Sequence, residues 1–217
     1  MNYRFTEPLE KERSSSYGSN YYVCRSRKLS RRVTAFGMLT FDNMMILETD
    51  AHVRWYCERP MQTDFFLDGE QRRICPDFYV AYEDGTDEFQ WVRSKSDSVT
   101  DGLEMLTSSW GRQSGEHIRV VTEADIYKGP FYMRNLYLIA ARARRCARSD
   151  KTSDRVFLEF LRDSKAVTVG KLMKEGYLSR EKGFAYISDL YFRGLIDIRD
   201  IQTMPLSYKT EVCVHEH

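Results

Sequence analysis

Two short motifs near the middle of the chain have residue types and a spacing that suit metal-dependent phosphodiester chemistry. Pro76-Asp77-Phe78 lies within a stretch that predicts a β-strand, and Arg93-Ser94-Lys95 ends the next predicted strand after a turn at Gly85. A carboxylate at the first position could hold Mg²⁺, which polarises a phosphate and lowers the pKa of the attacking water, and the lysine could position that water. The same pattern also fits an Asp beside a turn and a solvated Lys, so these residues alone leave both interpretations open.

A basic segment precedes these strands and contains no acidic residue between positions 24 and 34. Lysine and arginine neutralise phosphates and release counterions, which gives affinity for nucleic acid without sequence preference. The segment therefore predicts a DNA-contacting arm, and a solvated surface is the other interpretation of such a run. The residues that we expect to contact DNA are Arg25, Arg27, Lys28, Arg31 and Arg32. The polar, turn-rich stretch before them predicts a flexible segment over residues 1–23.

The composition limits the class of protein without deciding it. The 217 residues include 33 Lys and Arg and 32 Asp and Glu, a formal net charge of +1, which excludes a chain that is basic or acidic throughout. No apolar run is long enough to cross a bilayer and the first residues lack an apolar export segment, so we expect no membrane partner and a cytoplasmic location. The five cysteines include no C-x-x-C pair, which favours a reducing compartment.

The order of the predicted elements indicates an α/β core followed by a smaller domain. Strands followed by a helix and a further strand are typical of a mixed sheet flanked by helices. From residue 151 the pattern changes to three helices and a hairpin, which is the order of a winged-helix module. We therefore predict an α/β domain over residues 24–150 and a winged-helix-like domain over residues 151–217. The core elements are predicted as a helix at 36–49, strands at 53–57, 63–67, 73–82 and 88–93, a helix at 99–113 and a strand at 118–122.

Several short motifs of the chain follow one another in a recognisable order. They are Ser26-Arg27-Lys28, residues 33–39, Ile46 to Val53, Glu58-Arg59-Pro60, Pro76-Asp77-Phe78 and Asp84-Gly85. In this order and spacing they resemble the TnsA family, the endonuclease subunit of heteromeric Tn-type transposases, which cuts the 5′ ends of the element. The resemblance covers roughly residues 24–125 and implies a restriction-endonuclease-like fold of the PD-(D/E)xK type, a winged-helix C-terminal domain and Mg²⁺ as the cofactor. It also implies DNA, a DDE transposase and an AAA+ regulator as partners.

The chain departs from the family pattern at the catalytic acids. Thr40 stands where the family has a helix glutamate, and Arg93 stands where it has the acid or glutamine of the second strand. Asp77, the expected metal ligand, and Lys95 remain, but a single carboxylate beside an arginine should bind Mg²⁺ poorly. An alternative register places Gln90 at the acid and Val92 at the lysine, which is no better.

These departures leave three hypotheses. The first is a TnsA-like subunit that binds DNA ends and partner proteins through a fold with an eroded nuclease site. The second is an active Mg²⁺-dependent endonuclease that uses Asp77, Lys95 and Glu104, because Glu104 lies on the predicted helix after Lys95 and can supply the missing acid. The third is a winged-helix DNA-binding adaptor or regulator, with Arg180, Lys182 and Arg193 on or near its third helix. The acidic residues of that domain also suit protein binding.

Overall fold

A computed structural model of the chain describes residues 3–10, 20–67, 69–94, 102–146, 151–179 and 182–215. Its contacts divide the chain into two compact units, the first formed by Met1–Glu48 with His52–Ile126 and the second by Thr49–Ala51 with Tyr127–His217. The sequence placed the boundary near residue 150, whereas by these contacts the helix that precedes residue 150 belongs to the second unit. No helix in the described part of the chain is long and apolar enough to span a membrane.

The first unit is built around a four-stranded mixed sheet with the order β3-β6-β7-β8. The first three strands are antiparallel neighbours, and β8 runs parallel to β7 after a helical crossover. Two separate hairpins, β1-β2 and β4-β5, complete its strands. The elements are β1 (Tyr21–Arg25), β2 (Arg32–Phe36), α1 (Met38–Thr49), β3 (Val53–Glu58), β4 (Thr63–Leu67), β5 (Glu70–Ile74), β6 (Phe78–Tyr82), β7 (Asp87–Val92), α2 (Gly102–Ser114), β8 (Ile118–Val121) and α3 (Glu123–Ile126).

Helices cover both faces of this sheet, which confirms the prediction of an α/β core. Phe78 lies opposite Gln90 in the β6-β7 ladder, and the side chain of Gln90 meets Asn43 of α1 on that face. On the other face, the ring of Phe89 contacts the indole of Trp110 from α2 at a centroid distance of 5.9 Å. Residues of β7 therefore alternate between two buried environments, and the sheet carries apolar side chains on both sides.

The stretch at 73–82, predicted as one strand, is two strands in the structure. Ile74 pairs with Thr63 in the β4-β5 hairpin, whereas Phe78 pairs with Glu58 of β3 and with Gln90 of β7. Pro76 lies between them and has no N–H to donate to a ladder, so the change of partner strand falls where a continuous strand would be weakest. The break matters because it makes Asp77 the last residue before β6 rather than an interior strand residue.

The described residues of the N-terminal segment, 3–10, pack against the sheet. Phe5 contacts the rings of Tyr79 and Phe89 edge-on, and its carbonyl accepts a hydrogen bond from the indole N–H of Trp55 at 2.9 Å. Leu9 and Arg59 are joined by a backbone hydrogen bond of 2.9 Å. Of the predicted flexible segment 1–23, this part makes specific contacts with the core, because Phe5 covers aromatic side chains of the sheet face.

The described residues of the second unit form four helices and a three-stranded antiparallel sheet with the order β10-β11-β9. Thr168 caps one helix, since its side chain accepts a hydrogen bond from the Lys171 N–H. Ser179 precedes the next helix and its hydroxyl accepts the Lys182 N–H at 3.0 Å, and the helix itself begins at Gly183. The elements are α4 (Tyr132–Ala143), α5 (Lys151–Ser164), β9 (Val167–Thr168), α6 (Val169–Lys174), α7 (Gly183–Phe192), β10 (Ile196–Ile198) and β11 (Glu211–Val214).

Candidate functional site

Asp77 and Arg93, which come from neighbouring strands, meet at the end of the β6-β7 hairpin. The backbone of Asp77 belongs to the ladder, since its N–H donates to the carbonyl of Gln90 at 2.9 Å. Its Oδ2 accepts the N–H of Val92 at 2.8 Å and Nη1 of Arg93 at 3.0 Å. The predicted pairing of the two motifs across a hairpin is therefore present, and the carboxylate faces an arginine.

Packing holds the guanidinium of Arg93 in this position. Its central carbon lies 4.0 Å from the centre of the Trp91 ring, and the same Nη1 donates to the carbonyl of Val92. The Arg93 N–H donates to the carbonyl of Val121 at 2.9 Å, so the ladder with β8 continues to this residue. An arginine stacked on an aromatic ring and bonded to a carboxylate is stabilised in two ways at once. The side chains of Asp77 and Arg93 are only 23% and 26% exposed, which limits screening of the pair by solvent.

This arrangement does not suit a magnesium ion. Mg²⁺ needs several hard oxygen ligands, and here the one available carboxylate directs an oxygen at an N–H and a cation. Among the described residues, no group of three His, Cys, Asp or Glu side chains could hold a metal ion. Lys95 lies outside the described residues. Glu104 lies in α2, but its side chain is outside the described part of the structure, which for this helix begins at Thr107.

Thr40 is half-buried on α1, and no hydrogen bond joins it to Asp77 or Arg93 among the described residues. The helix instead meets β7 through Asn43, whose Nδ2 donates to Oε1 of Gln90 at 2.8 Å. Gln90 in turn donates to Glu88 at 2.7 Å, and both amide residues are less than 5% exposed. Sequence analysis did not connect Asn43 with Gln90. The signal for this pair is the presence of one amide in the helix and one in the strand, each among apolar residues.

The basic segment forms a hairpin turn that is held by a buried acid. Glu48, near the end of α1, is 4% exposed and accepts four hydrogen bonds. Its Oε1 accepts the backbone N–H groups of Arg27 at 2.7 Å and Lys28 at 3.3 Å, and its Oε2 accepts the hydroxyls of Ser26 at 2.6 Å and Tyr56 at 2.9 Å. Burial, and then the charge of Glu48, raise the pKa of Tyr56 well above its usual range, so the phenol stays protonated and donates.

The five predicted DNA contacts occupy different environments in this hairpin. Arg31 forms a two-bond ion pair with Glu58, at 2.8 and 2.7 Å, and Glu58 is 2% exposed. The ammonium of Lys28 donates to the carbonyl of Leu47 at 2.9 Å. Both cations therefore have structural partners in the first unit. Arg27 is half-buried, and the residues whose side chains are exposed are Arg25 and Arg32.

In the second unit, the helix that would read DNA in a winged-helix protein is covered. Each of the ten residues of α7 is buried or half-buried, and Arg142 of α4 lies over the ring of Phe184 at 4.7 Å. Arg193, which follows α7, donates to Oδ2 of Asp154 at 2.8 Å, and Asp154 also accepts the hydroxyl of Tyr186 at 2.8 Å. Lys182, at the start of α7, is exposed. The cation that follows the helix is thus engaged within the unit.

Comparison with known proteins identifies no relative: the chain matches no family model and none of the curated proteins searched.

Proposed function

We propose that this protein is a TnsA-like subunit of a heteromeric DNA transposition machinery that binds DNA ends and partner proteins and does not itself cut DNA. Two parts of the proposal rest on the resemblance of the sequence, namely the restriction-endonuclease-like fold and the partners, a DDE transposase and an AAA+ regulator. The antiparallel hairpin with Asp77 at its open end, followed by a helical crossover to the parallel strand β8, supports such a fold.

The observation that carries the loss of cleavage is the ion pair between Asp77 and Arg93. A nuclease of this type needs the carboxylate to face a divalent cation. Here the guanidinium takes that place, bonds the carboxylate at 3.0 Å and is stacked on Trp91. A metal ion that displaced the guanidinium would leave a half-buried arginine without its carboxylate. This energetic cost opposes metal binding more strongly than the absence of one ligand alone.

The second unit supports a role in protein contacts more than in reading DNA bases. Its order of α5, β9, α6, α7, β10 and β11 is the order of a winged helix, which supports that assignment. Recognition in this fold requires exposed side chains on the third helix, and α7 has none. The surface of this unit is therefore better suited to a protein partner.

The proposal is tested by binding and cleavage measured on the same protein. The full chain should bind labelled duplex DNA and should leave it intact with Mg²⁺ or Mn²⁺, with and without an added DDE transposase. Asp77→Asn should leave DNA binding within about twofold, because the carboxylate contacts Arg93 and not the nucleic acid. Glu83→Gln is the matched control, since it makes the same change at an exposed carboxylate.

Two results would overturn the proposal. Absence of DNA binding by the full chain would remove the assigned role altogether. Metal-dependent cleavage that Asp77→Asn abolishes and Glu83→Gln preserves would show an active nuclease.

One observation favours the active nuclease as a second candidate. Glu104 lies in α2, and α2 packs on the sheet face that carries Phe89. Because residues of a strand alternate between faces, Trp91 lies on the same face as Phe89. The guanidinium of Arg93 is stacked on Trp91. This candidate assigns Glu104, as a residue of that helix, the role of the second acid beside Asp77 and Lys95. This candidate requires that both Asp77→Asn and Glu104→Gln abolish cleavage while Glu83→Gln retains it.

A further inference from the structure

The outer face of the β1-β2 hairpin combines exposed aromatic and cationic side chains in one row. The two strands pair Tyr21 with Phe36, Val23 with Thr34 and Arg25 with Arg32, and directly opposed residues of an antiparallel pair point to the same side. The other face carries Val33 and Ala35, which are 0% and 1% exposed. Because Val33 and Ala35 are buried, the paired residues on the opposite face of the hairpin point outward.

One end of this face carries an arginine pair. Arg25 and Arg32 are exposed and directly opposite each other, and like charges in such a pair destabilise a hairpin. The side chain of Arg32 makes no ion pair with any described residue. An anion lying across both guanidinium groups would relieve their repulsion, so this end suits a phosphate.

The other end carries an aromatic pair. Tyr21 is 39% exposed, and its ring lies 5.1 Å from the ring of Phe36. Arg59 adds a third cation here, because its guanidinium lies 5.2 Å from the centre of the Phe36 ring and donates to Oγ1 of Thr34 at 2.9 Å. Four residues separate the two ends, or about 13 Å at the rise of a strand, which a few nucleotides span.

We propose that this face, formed by Tyr21, Phe36, Arg25, Arg32 and Arg59, binds single-stranded DNA. Aromatic rings stack on unpaired bases, and cations beside them contact the phosphates, which is how sequence-tolerant single-strand sites are built. In a duplex the bases are stacked on each other and cannot lie on Tyr21. The backbone N–H of Arg59 donates to the carbonyl of Asp77 at 2.8 Å, so the face adjoins the hairpin end that the proposed function concerns. The inference rests on that function for the identity of the nucleic acid as DNA.

The test compares a short labelled oligothymidylate with a duplex of the same length by fluorescence anisotropy on the full chain. Tyr21→Ala should weaken single-strand binding about fivefold and leave duplex binding unchanged, whereas Tyr21→Phe should retain it, because the ring and not the hydroxyl stacks. The double variant Arg25→Gln/Arg32→Gln should lower the slope of log affinity against log salt for the single strand by about 1.4. Arg155→Gln/Arg199→Gln removes the same charge at exposed positions of the second unit and should not change the slope.

The outcomes separate this inference from the proposed function. If no DNA binds, the proposed function fails first. If DNA binds but Tyr21→Ala is equal to wild type, or weakens duplex and single strand alike, the stacking site is refuted while the DNA-binding role stands. If the two double variants behave identically, the arginine pair does not contact phosphate. Thermal unfolding of each variant by tryptophan fluorescence, which reports on the first unit, identifies any variant that fails to fold. If Tyr21→Ala does not fold, the salt slope of Arg25→Gln/Arg32→Gln tests the same face independently.

Discussion

Replacing Glu48 by Gln should destabilise the first unit, because the site is arranged for a carboxylate. All four groups around it donate: two backbone N–H groups to Oε1 and two hydroxyls to Oε2. An amide keeps one oxygen, which must stay with the backbone groups of Arg27 and Lys28 because these cannot become acceptors. The NH₂ group then faces the hydroxyls of Ser26 and Tyr56, which must turn to accept from it.

The size of the effect follows from these four bonds. Hydrogen bonds to a charged group contribute about 1.5–3 kcal/mol and neutral ones about 0.5–1.5 kcal/mol, so weakening all four costs about 4 kcal/mol. Removing the buried charge relieves part of its desolvation cost, which offsets about half of this. We expect the free energy of unfolding to fall by about 2 kcal/mol, a large share of the 5–15 kcal/mol that is typical of a domain.

Unfolding of the first unit can be followed by tryptophan fluorescence. All three, Trp55, Trp91 and Trp110, lie in the first unit, so their fluorescence during urea unfolding reports on that unit alone. Tyr56→Phe removes one donor and should cost about 1 kcal/mol. The double variant Glu48→Gln/Tyr56→Phe should be about 1 kcal/mol more stable than the sum of the single effects predicts, because the two residues share one bond. A change below about 0.5 kcal/mol for Glu48→Gln would refute the assignment of Glu48 as the anchor of the basic turn.

Three further predictions test other parts of the structure. Burial raises the pKa of the Cys57 thiol to about 12, so a thiol reagent at neutral pH should leave Cys57 unmodified in the folded protein and react with it in urea, as peptide mapping by mass spectrometry would show. Asp154→Asn should destabilise the second unit by about 2 kcal/mol, seen as faster amide exchange in α5 and α7, because it removes the charge that holds Arg193. Thr168→Ala should cost about 1 kcal/mol through loss of the cap of α6, and Thr168→Ser should cost less because it retains the hydroxyl.

Periodicity and turn residues were sufficient to predict most elements of the fold. Helix α1, strand β3 and strand β4 begin within two residues of their predicted positions, because each has a clear pattern between Gly, Pro or Asp-Gly breaks. The β5-β6 break was missed because Ile74 and the aromatic-rich β6 lie close on either side of Pro76, so local strand preference continues across the proline. The change of partner strand is a tertiary event, and local sequence carries little information about it.

The candidate site was predictable in its pairing and not in its surroundings. The spacing of Asp77 and Arg93 across a Gly85 turn predicts that the two side chains meet, and they do. The separate environments of the basic residues could not be read from the sequence. Arg31 and Arg32 are adjacent and chemically identical, yet one pairs with a buried glutamate and the other is exposed. Strand alternation decides between them, and the β1-β2 hairpin was not among the predicted elements.

The acids of the first unit explain why its hairpin face can remain cationic. Glu48 is bonded to backbone and hydroxyl groups, Glu58 is bonded to Arg31, and Asp77 is bonded to Arg93. Each of these carboxylates has partners of its own in the first unit, and none of the three forms an ion pair with Arg32 on the outer face. The pair between Asp77 and Arg93 therefore bears on both proposals: it removes the carboxylate that a metal would need, and it leaves the neighbouring surface suited to phosphate. Breaking it with Arg93→Gln, which removes the positive charge and leaves a polar side chain, should release that carboxylate and weaken DNA binding by electrostatic repulsion. Unchanged binding would separate the two roles.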